Sequence, residues 1–398
     1  MITIQYLEPA PETASLQPDE VILKLQQALD RLPFTHLLIG WEIPERILEA
    51  CKKFTEQYAI KFLRWHPLLT YNQEPIDPAL RVINLYNQPI SGFQNLPEFT
   101  FFCPNHPEAR ERILANLSVQ IQTGLYDGFF LDRIRYPSPS TDPYRYLGCF
   151  CLSCQEIARD FNLDFVNVRS ELLQAEHKAQ FLPSFLRYLA AAQPHHPAVQ
   201  PLPEFQRFMR FRSQSITAIL KEVIAEIKGK NLEVGLDAFS PSLAYMVGQN
   251  LDEITPLADW TKVMSYAHTM GPAGIPYELS QLAQFIKQST LWDEREILTA
   301  LSHAFDLEIP DMFEKLIRAG LSPSSLAKEV ERAVQRSPKP ILAGIELVEI
   351  PGVATLDNIQ IEQDLQAVKA VHPDGIAISW DLWHIPLERL ELFRRIWS

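Results

Sequence analysis

Short, almost unbroken apolar runs separated by helix-compatible stretches constrain this chain more than any other feature. Eight of them stand out: 34–40 (FTHLLIG), 60–65 (IKFLRW), 99–103 (FTFFC), 128–132 (GFFLD), 232–237 (LEVGLD), 260–266 (WTKVMSY), 341–346 (ILAGIE) and 375–381 (GIAISWD). Runs of this length, rich in aromatic and β-branched residues, read as strands buried on both faces, the signature of a parallel sheet. Helical patterns lie over 44–58, 107–123, 205–228 and 359–371, with Pro107 suited to a first helical turn. Alternating strands and helices define a parallel α/β fold, and eight units suit a closed (β/α)8 TIM barrel. An open doubly wound sheet is the rival, but no run is followed by a glycine-rich phosphate loop.

The 398 residues are read as a single barrel domain over 1–398, with insertions at about 67–98, 138–230 and 268–340. These connections are expected to leave from the carboxyl ends of strands, where barrels build their sites. Proline outnumbers glycine by 31 to 14, which favours stiffened loops over flexible linkers.

Charge and hydropathy narrow the partners. Asp and Glu total 49 against 36 Lys and Arg, for a net charge of −13, and no basic run exceeds two residues. Such a surface repels phosphate backbones, so nucleic acid is not expected as a partner. No stretch approaches the length of a membrane helix, and the start lacks a basic segment followed by an apolar one, so a cytoplasmic location without membrane association is expected. The sequence does not define an oligomeric state.

Acidic residues recur at the carboxyl ends of the runs: Asp132, Asp237, Glu346 and Asp381. A barrel gathers strand ends at one rim, so residues distant in sequence converge there. Cleavage of a glycosidic bond needs two carboxyl groups, one to donate a proton and one to attack or to activate water. Asp132 ranks first, followed by Glu346, Asp237 and Asp381. A strand-end Asp also commonly caps a helix, and Arg133 and Arg135 are placed to neutralise Asp132. Aromatic and imidazole groups cluster at the same ends: Trp41, Trp65, His66, Tyr136, Tyr266, His268, Trp380, Trp383 and His384. Such groups suit the C–H faces and hydroxyls of sugars, although a Trp is often simply core.

The segment YDGFFLDRIRYP (126–137) resembles the fourth-strand signature of glycoside-hydrolase-like (β/α)8 proteins, the family-10-like group. The likeness extends to GLDAFSPSLA (235–244), ADWTKVMSYAHTMGPAG (258–274) and DGIAISWDLWHIP (374–386). It implies a barrel and a carbohydrate-active site with Asp132 as the fourth-strand acid. The same segment looks like the DGxDxDxE pattern of chitinase-type barrels. Asp127-Gly128 matches its start and Asp132 its second later Asp, but Phe130 and Ile134 replace the first later Asp and the Glu. A two-carboxylate mechanism using another strand fits better than a substrate-assisted one.

Three of the five cysteines fall within six residues, Cys149-Phe150-Cys151-Leu152-Ser153-Cys154, and Cys103 ends the third run. Thiolates grouped in this way suit a closed, structural zinc site, with free cytosolic thiols as the plainer reading. The arrangement is similar to the four-cysteine site of family-42 β-galactosidases, which implies Cys103, Cys149, Cys151 and Cys154 as ligands. Cys51 reads as a buried helix thiol and His195-His196-Pro197 as loop. No nucleophile elbow, H-E-x-x-H helix or organic-cofactor motif is present.

The expectation is a glycoside hydrolase acting on an oligosaccharide or glycoconjugate. Asp132 would be nucleophile or general base, and Glu346 or else Asp237 the acid. Arg133, Arg135, Tyr136, Tyr266 and His268 would orient sugar hydroxyls. The alternative is a barrel that binds carbohydrate without cleaving it.

Overall fold

The computed structural model describes residues 1–8, 15–70, 75–93, 96–176 and 203–397. Eight parallel strands close into a barrel in sequence order: β1 (Ile2–Tyr6), β2 (His36–Ile39), β3 (Lys61–Pro67), β4 (Gly128–Asp132), β5 (Glu233–Phe239), β6 (Trp260–Met264), β7 (Ile341–Glu346) and β8 (Gly375–Ser379). β8 returns to β1, pairing Ile376 with Ile2 and Ile378 with Ile4.

Two strand assignments change. The run at 99–103 is not part of the barrel; Phe101 and Phe102 make only isolated bridges, to Thr70 and Arg81. Its apolarity reflects burial within the connection that follows β3, where Phe101, Phe102 and Cys103 are all buried. The missing strand is β1, whose Ile2-Thr3-Ile4-Gln5-Tyr6 alternates instead of running apolar, because polar Thr3 and Gln5 take the positions between the apolar residues. Cys103 accordingly lies in the β3 connection and not at a strand end.

Helices surround the barrel. Pro107–Gln122 starts with its proline in the first turn, where the absent N–H breaks no hydrogen bond. Asn358–Ala370 is capped by Asp357, whose carboxylate accepts the N–H groups of Ile359 and Gln360. The stretch 268–340 carries Ile275–Ser289, Glu294–Phe305, Phe313–Ala319 and Pro323–Arg336. Pro203–Lys228 leads into β5. Residues 195–197 lie outside the described residues. Among the described residues no helix is long and apolar enough to cross a membrane.

The barrel interior explains where the acids stand. Leu38, Leu63, Trp65, Phe130, Trp260, Leu342 and Ala377 pack as one interior cluster. Phe130 and Trp260 stack with centroids 5.3 Å apart. Gly235 makes this stacking possible, since a Cβ there would meet the Trp260 ring at 2.4 Å. Side chains two residues further along each strand share the inward direction. Asp132 follows Phe130, Asp237 follows Gly235 and Lys262 follows Trp260, so charge begins where the apolar layer ends.

Candidate active site

A cleft of about 370 Å³ opens above that layer. Eight of the expected residues line it: Asp132, Asp237, Trp41, Trp65, Arg133, Arg135, Tyr266 and Trp380. Gln5, Glu8, Glu42, Glu98 and Lys262 line it as well.

Asp132 forms no ion pair among the described residues. Its Oδ2 accepts the indole N–H of Trp65 at 3.0 Å, and its Oδ1 accepts the Arg133 backbone N–H. Asp237 lies directly opposite Lys262 in the β5–β6 register, and Nζ of Lys262 donates to its Oδ2 at 2.9 Å. Oδ1 of Asp237 is buried without a partner. Burial pushes Asp237 up to about 7, with Lys262 opposing and the charge of Asp132 reinforcing the shift. Glu8, just beyond β1, is pushed up to about 8, chiefly by burial and then by Asp381, with Arg133 opposing. The cleft therefore joins an unpaired carboxylate to two acids that hold a proton near neutrality.

Neither of the two arginines after Asp132 forms an ion pair with it, although its charge acts on both. Arg133 has a left-handed backbone, φ 52°, which turns the chain as β4 ends. Its guanidinium donates to Thr70 Oγ1 at 3.0 Å and lies 4.5 Å from the Phe99 ring centroid and 5.1 Å from that of Trp41. Arg135 lies over Phe239 and Phe101, at 4.7 and 5.0 Å, and burial lowers it to about 10. Trp41 and Trp65 meet edge to face at 4.7 Å, and Tyr266 lies 5.9 Å from Trp380. These rings form aromatic walls around the acids.

The other expected residues stand apart from the cleft lining. Glu346 accepts the backbone N–H of His268 at 2.6 Å, and its carboxyl is pushed up to about 7 by burial. His268 is held by the Ala319 carbonyl and by Asp364 Oδ2, each at 2.8 Å. Asp381 accepts the N–H groups of Leu7 and Trp383, at 2.8 and 3.1 Å, and ties β8 to the end of β1. His66 is buried against Phe129, and burial pushes it down to about 3, so it is neutral. Tyr136 is buried beneath the Arg212 guanidinium. Trp383 lies 6.3 Å from Tyr6, and His384 is 4.0 Å from Asp381.

Glu8 and Gln5 escaped the sequence reading because β1 did. The alternation of Ile2, Ile4 and Tyr6 was the signal that could have found them. Lys262 was visible as a lone charge inside an apolar run, at the same height as Asp237 on the neighbouring strand.

A second cluster lies beyond the carboxyl end of β4. The sulfurs of Cys103, Cys149, Cys151 and Cys154 all lie within 4.8 Å of one another. Cys103 Sγ is 3.5 Å from both Cys151 and Cys154. Tetrahedral zinc bonded to sulfur at about 2.3 Å would separate its ligands by about 3.8 Å, so the set fits such an ion. The sulfurs also accept N–H groups, as metal-bound thiolates do: Ile83 donates to Cys149 at 3.3 Å, Asn105 to Cys154 at 3.3 Å and the Cys154 backbone to Cys151 at 3.4 Å. Cys51 is separate and buried in the helix Glu45–Gln57.

Fold and cleft together define a closed (β/α)8 barrel with acids and aromatics at its carboxyl mouth. No protein-family model matches the chain, and no curated protein matches it in sequence. Its fold is similar to that of the PgaB (BpsB) glycoside hydrolase domain from Bordetella bronchiseptica, at 12% identity over 98% of this chain and 97% of that one, with a TM-score of 0.57. A class V chitinase from Pseudomonas fluorescens Pf-5 is similar at 9% identity over 100% and 99% of the two chains, with a TM-score of 0.50. At such identities the likeness establishes the barrel fold.

Proposed function

We propose that the protein is a glycoside hydrolase that cleaves O-glycosidic bonds of an oligosaccharide or glycoconjugate with two carboxyl groups. One observation carries this reading: Asp132, which forms no ion pair among the described residues, shares an aromatic-walled cleft with Asp237, whose carboxyl burial raises to about 7 against the opposing charge of Lys262. Asp237 donates its proton to the leaving oxygen. Asp132 attacks the anomeric carbon or takes a proton from the water that does. Trp65 holds the Asp132 carboxylate in place, and Lys262 holds that of Asp237. Trp41, Trp65, Tyr266 and Trp380 offer faces for sugar rings. Glu346 is the weaker candidate for the acid, since its carboxyl is engaged by His268 away from the cleft lining.

Binding without cleavage would be favoured by an arginine clamp on Asp132, and Arg133 and Arg135 are instead directed at aromatic faces. The closed set of four thiols is read as a structural zinc site that pins the loop beyond β4 to the β3 connection. It supplies no open coordination position for chemistry. Free thiols of this number suit a reducing compartment.

The test is a screen of aryl glycosides and natural oligosaccharides with the wild type, Asp132→Asn, Asp237→Asn and Glu8→Gln. Hydrolysis lost in Asp132→Asn and Asp237→Asn and kept in Glu8→Gln supports the assignment. Loss in Glu8→Gln with Asp237→Asn active moves the acid role to Glu8. An active Asp132→Asn protein overturns the reading.

A further inference from the structure

Arg212, on the helix Pro203–Lys228, is completely buried. Among the described residues no carboxylate pairs with it. Its guanidinium is held by neutral groups: Nε donates to the Gly148 carbonyl at 2.5 Å and Nη1 to the Met246 carbonyl at 2.9 Å. The group lies 4.7 Å from the centroid of the Tyr136 ring, and Nη2 has no partner. A lone cation in a protein interior is strongly unfavourable unless an anion answers it.

The thiol cluster adjoins the carbonyl that Arg212 engages. Gly148, whose carbonyl takes the Nε bond, directly precedes Cys149. The Tyr136 ring over which the guanidinium lies adjoins the same cluster: after burial, Cys154, Cys103 and Cys149 act on it most, and Cys149 also acts on Arg212, after burial, Tyr136 and Tyr245. Four thiolates around one divalent ion leave a net charge of about −2 in the interior. That dianion needs a counter-charge as much as Arg212 needs an anion.

We propose that Arg212 is the buried counter-cation of a metal–tetrathiolate centre formed by Cys103, Cys149, Cys151 and Cys154. The inference rests on the metal reading of the four thiols given above. Each charge makes burial of the other favourable, so metal loading and the seating of this helix are linked. Arg212 also bridges Gly148 of the metal loop to Met246 of the loop after β5, and the adjacent Val247 carbonyl accepts the Tyr136 N–H at 2.9 Å. It is thus a positioning residue for the stretch that follows Asp132, acting through Met246 and Val247, and it ties that stretch to the metal loop.

The test is zinc affinity of the full chain, read by competition with a chromogenic chelator. Arg212→Met and Arg212→Gln remove the charge, with the glutamine retaining a hydrogen-bonding side chain should the methionine variant not fold. Both are expected to bind zinc about tenfold or more weakly, with much of the loss restored in Arg212→Lys. Cobalt(II) loading, read by its sulfur-to-metal charge-transfer band, checks that the four ligands remain in place. Thermal unfolding separates charge from packing: in a Cys103→Ser/Cys154→Ser background, Arg212→Met is expected to leave Tm unchanged or raise it, whereas in the zinc-loaded protein it lowers Tm. Unchanged zinc affinity in both neutral variants, or an equal loss of Tm in both backgrounds, overturns the counter-cation. A wild-type protein that takes up no zinc with its thiols reduced overturns the metal reading itself.

Discussion

Trp65 and Asp132 are joined across neighbouring strands by an indole N–H that donates to the carboxylate at 3.0 Å. The bond aims one lone pair of Asp132 and leaves the acid without a cationic partner. A hydrogen bond to a charged group contributes about 1.5–3 kcal/mol, so Trp65→Phe should lower kcat by roughly 10- to 150-fold on a responsive glycoside. Asp132→Asn should abolish turnover with an unchanged circular dichroism spectrum. Steady-state kinetics of the two variants check both statements.

With Asp237 as the proposed proton donor, its proton should set the alkaline limb of activity. Burial raises this group to about 7, with Lys262 opposing. A proton donor works only while protonated, so kcat/KM should be full below that pH and fall as pH rises through about 7, by about tenfold per pH unit beyond it. A pH–rate profile measures the limb directly. Were Glu8 the donor, the fall would instead centre near 8.

His268 ties the β6 loop to the helix Asn358–Ala370 and gives stability its own pH dependence. Burial disfavours its imidazolium, but the Asp364 hydrogen bond and the Glu346 charge outweigh that and lift the group to about 9. The unfolded chain titrates near 6.5. The stabilisation is therefore complete below about 6.5 and is lost as pH rises through 9. Chemical denaturation between pH 6 and 10 should show this decline in the wild type and a flatter curve in His268→Asn.

Metal removal should loosen the loops around the cleft. Elemental analysis of purified protein should find about one zinc per chain, and chelation should lower Tm. Cys151→Ser should reproduce the chelated behaviour without added chelator.

Gly235 reserves space for the Trp260 ring, which a Cβ would meet at 2.4 Å. Gly235→Ala should lose about 1–3 kcal/mol of stability by overpacking. The loss is readable in a denaturant midpoint.

The barrel was legible because seven of its strands are buried on both faces and read as apolar runs. The eighth, β1, was hidden by Thr3 and Gln5, while the buried loop at 99–103 imitated a strand. These two errors cancelled in the count of eight but not in position, and the residues that β1 carries into the cleft were lost with it. Asp132, Asp237 and their aromatic neighbours were found because inward-facing positions near strand ends follow from the alternation. Glu346 and Asp381 met the same rule, yet their carboxylates turn to backbone N–H groups that sequence spacing does not reveal. Cysteine spacing sufficed for the thiol cluster even though Cys103 lies in a loop.

The left-handed backbone at Arg133 bears on any attempt to re-engineer this rim. A branched side chain such as valine or isoleucine disfavours that conformation by about 1–2 kcal/mol, whereas glycine and asparagine accept it. Saturation mutagenesis at 133 would thus sort its clones by chain reversal before it sorted them by chemistry, and glycine and asparagine are the fair controls for the missing guanidinium.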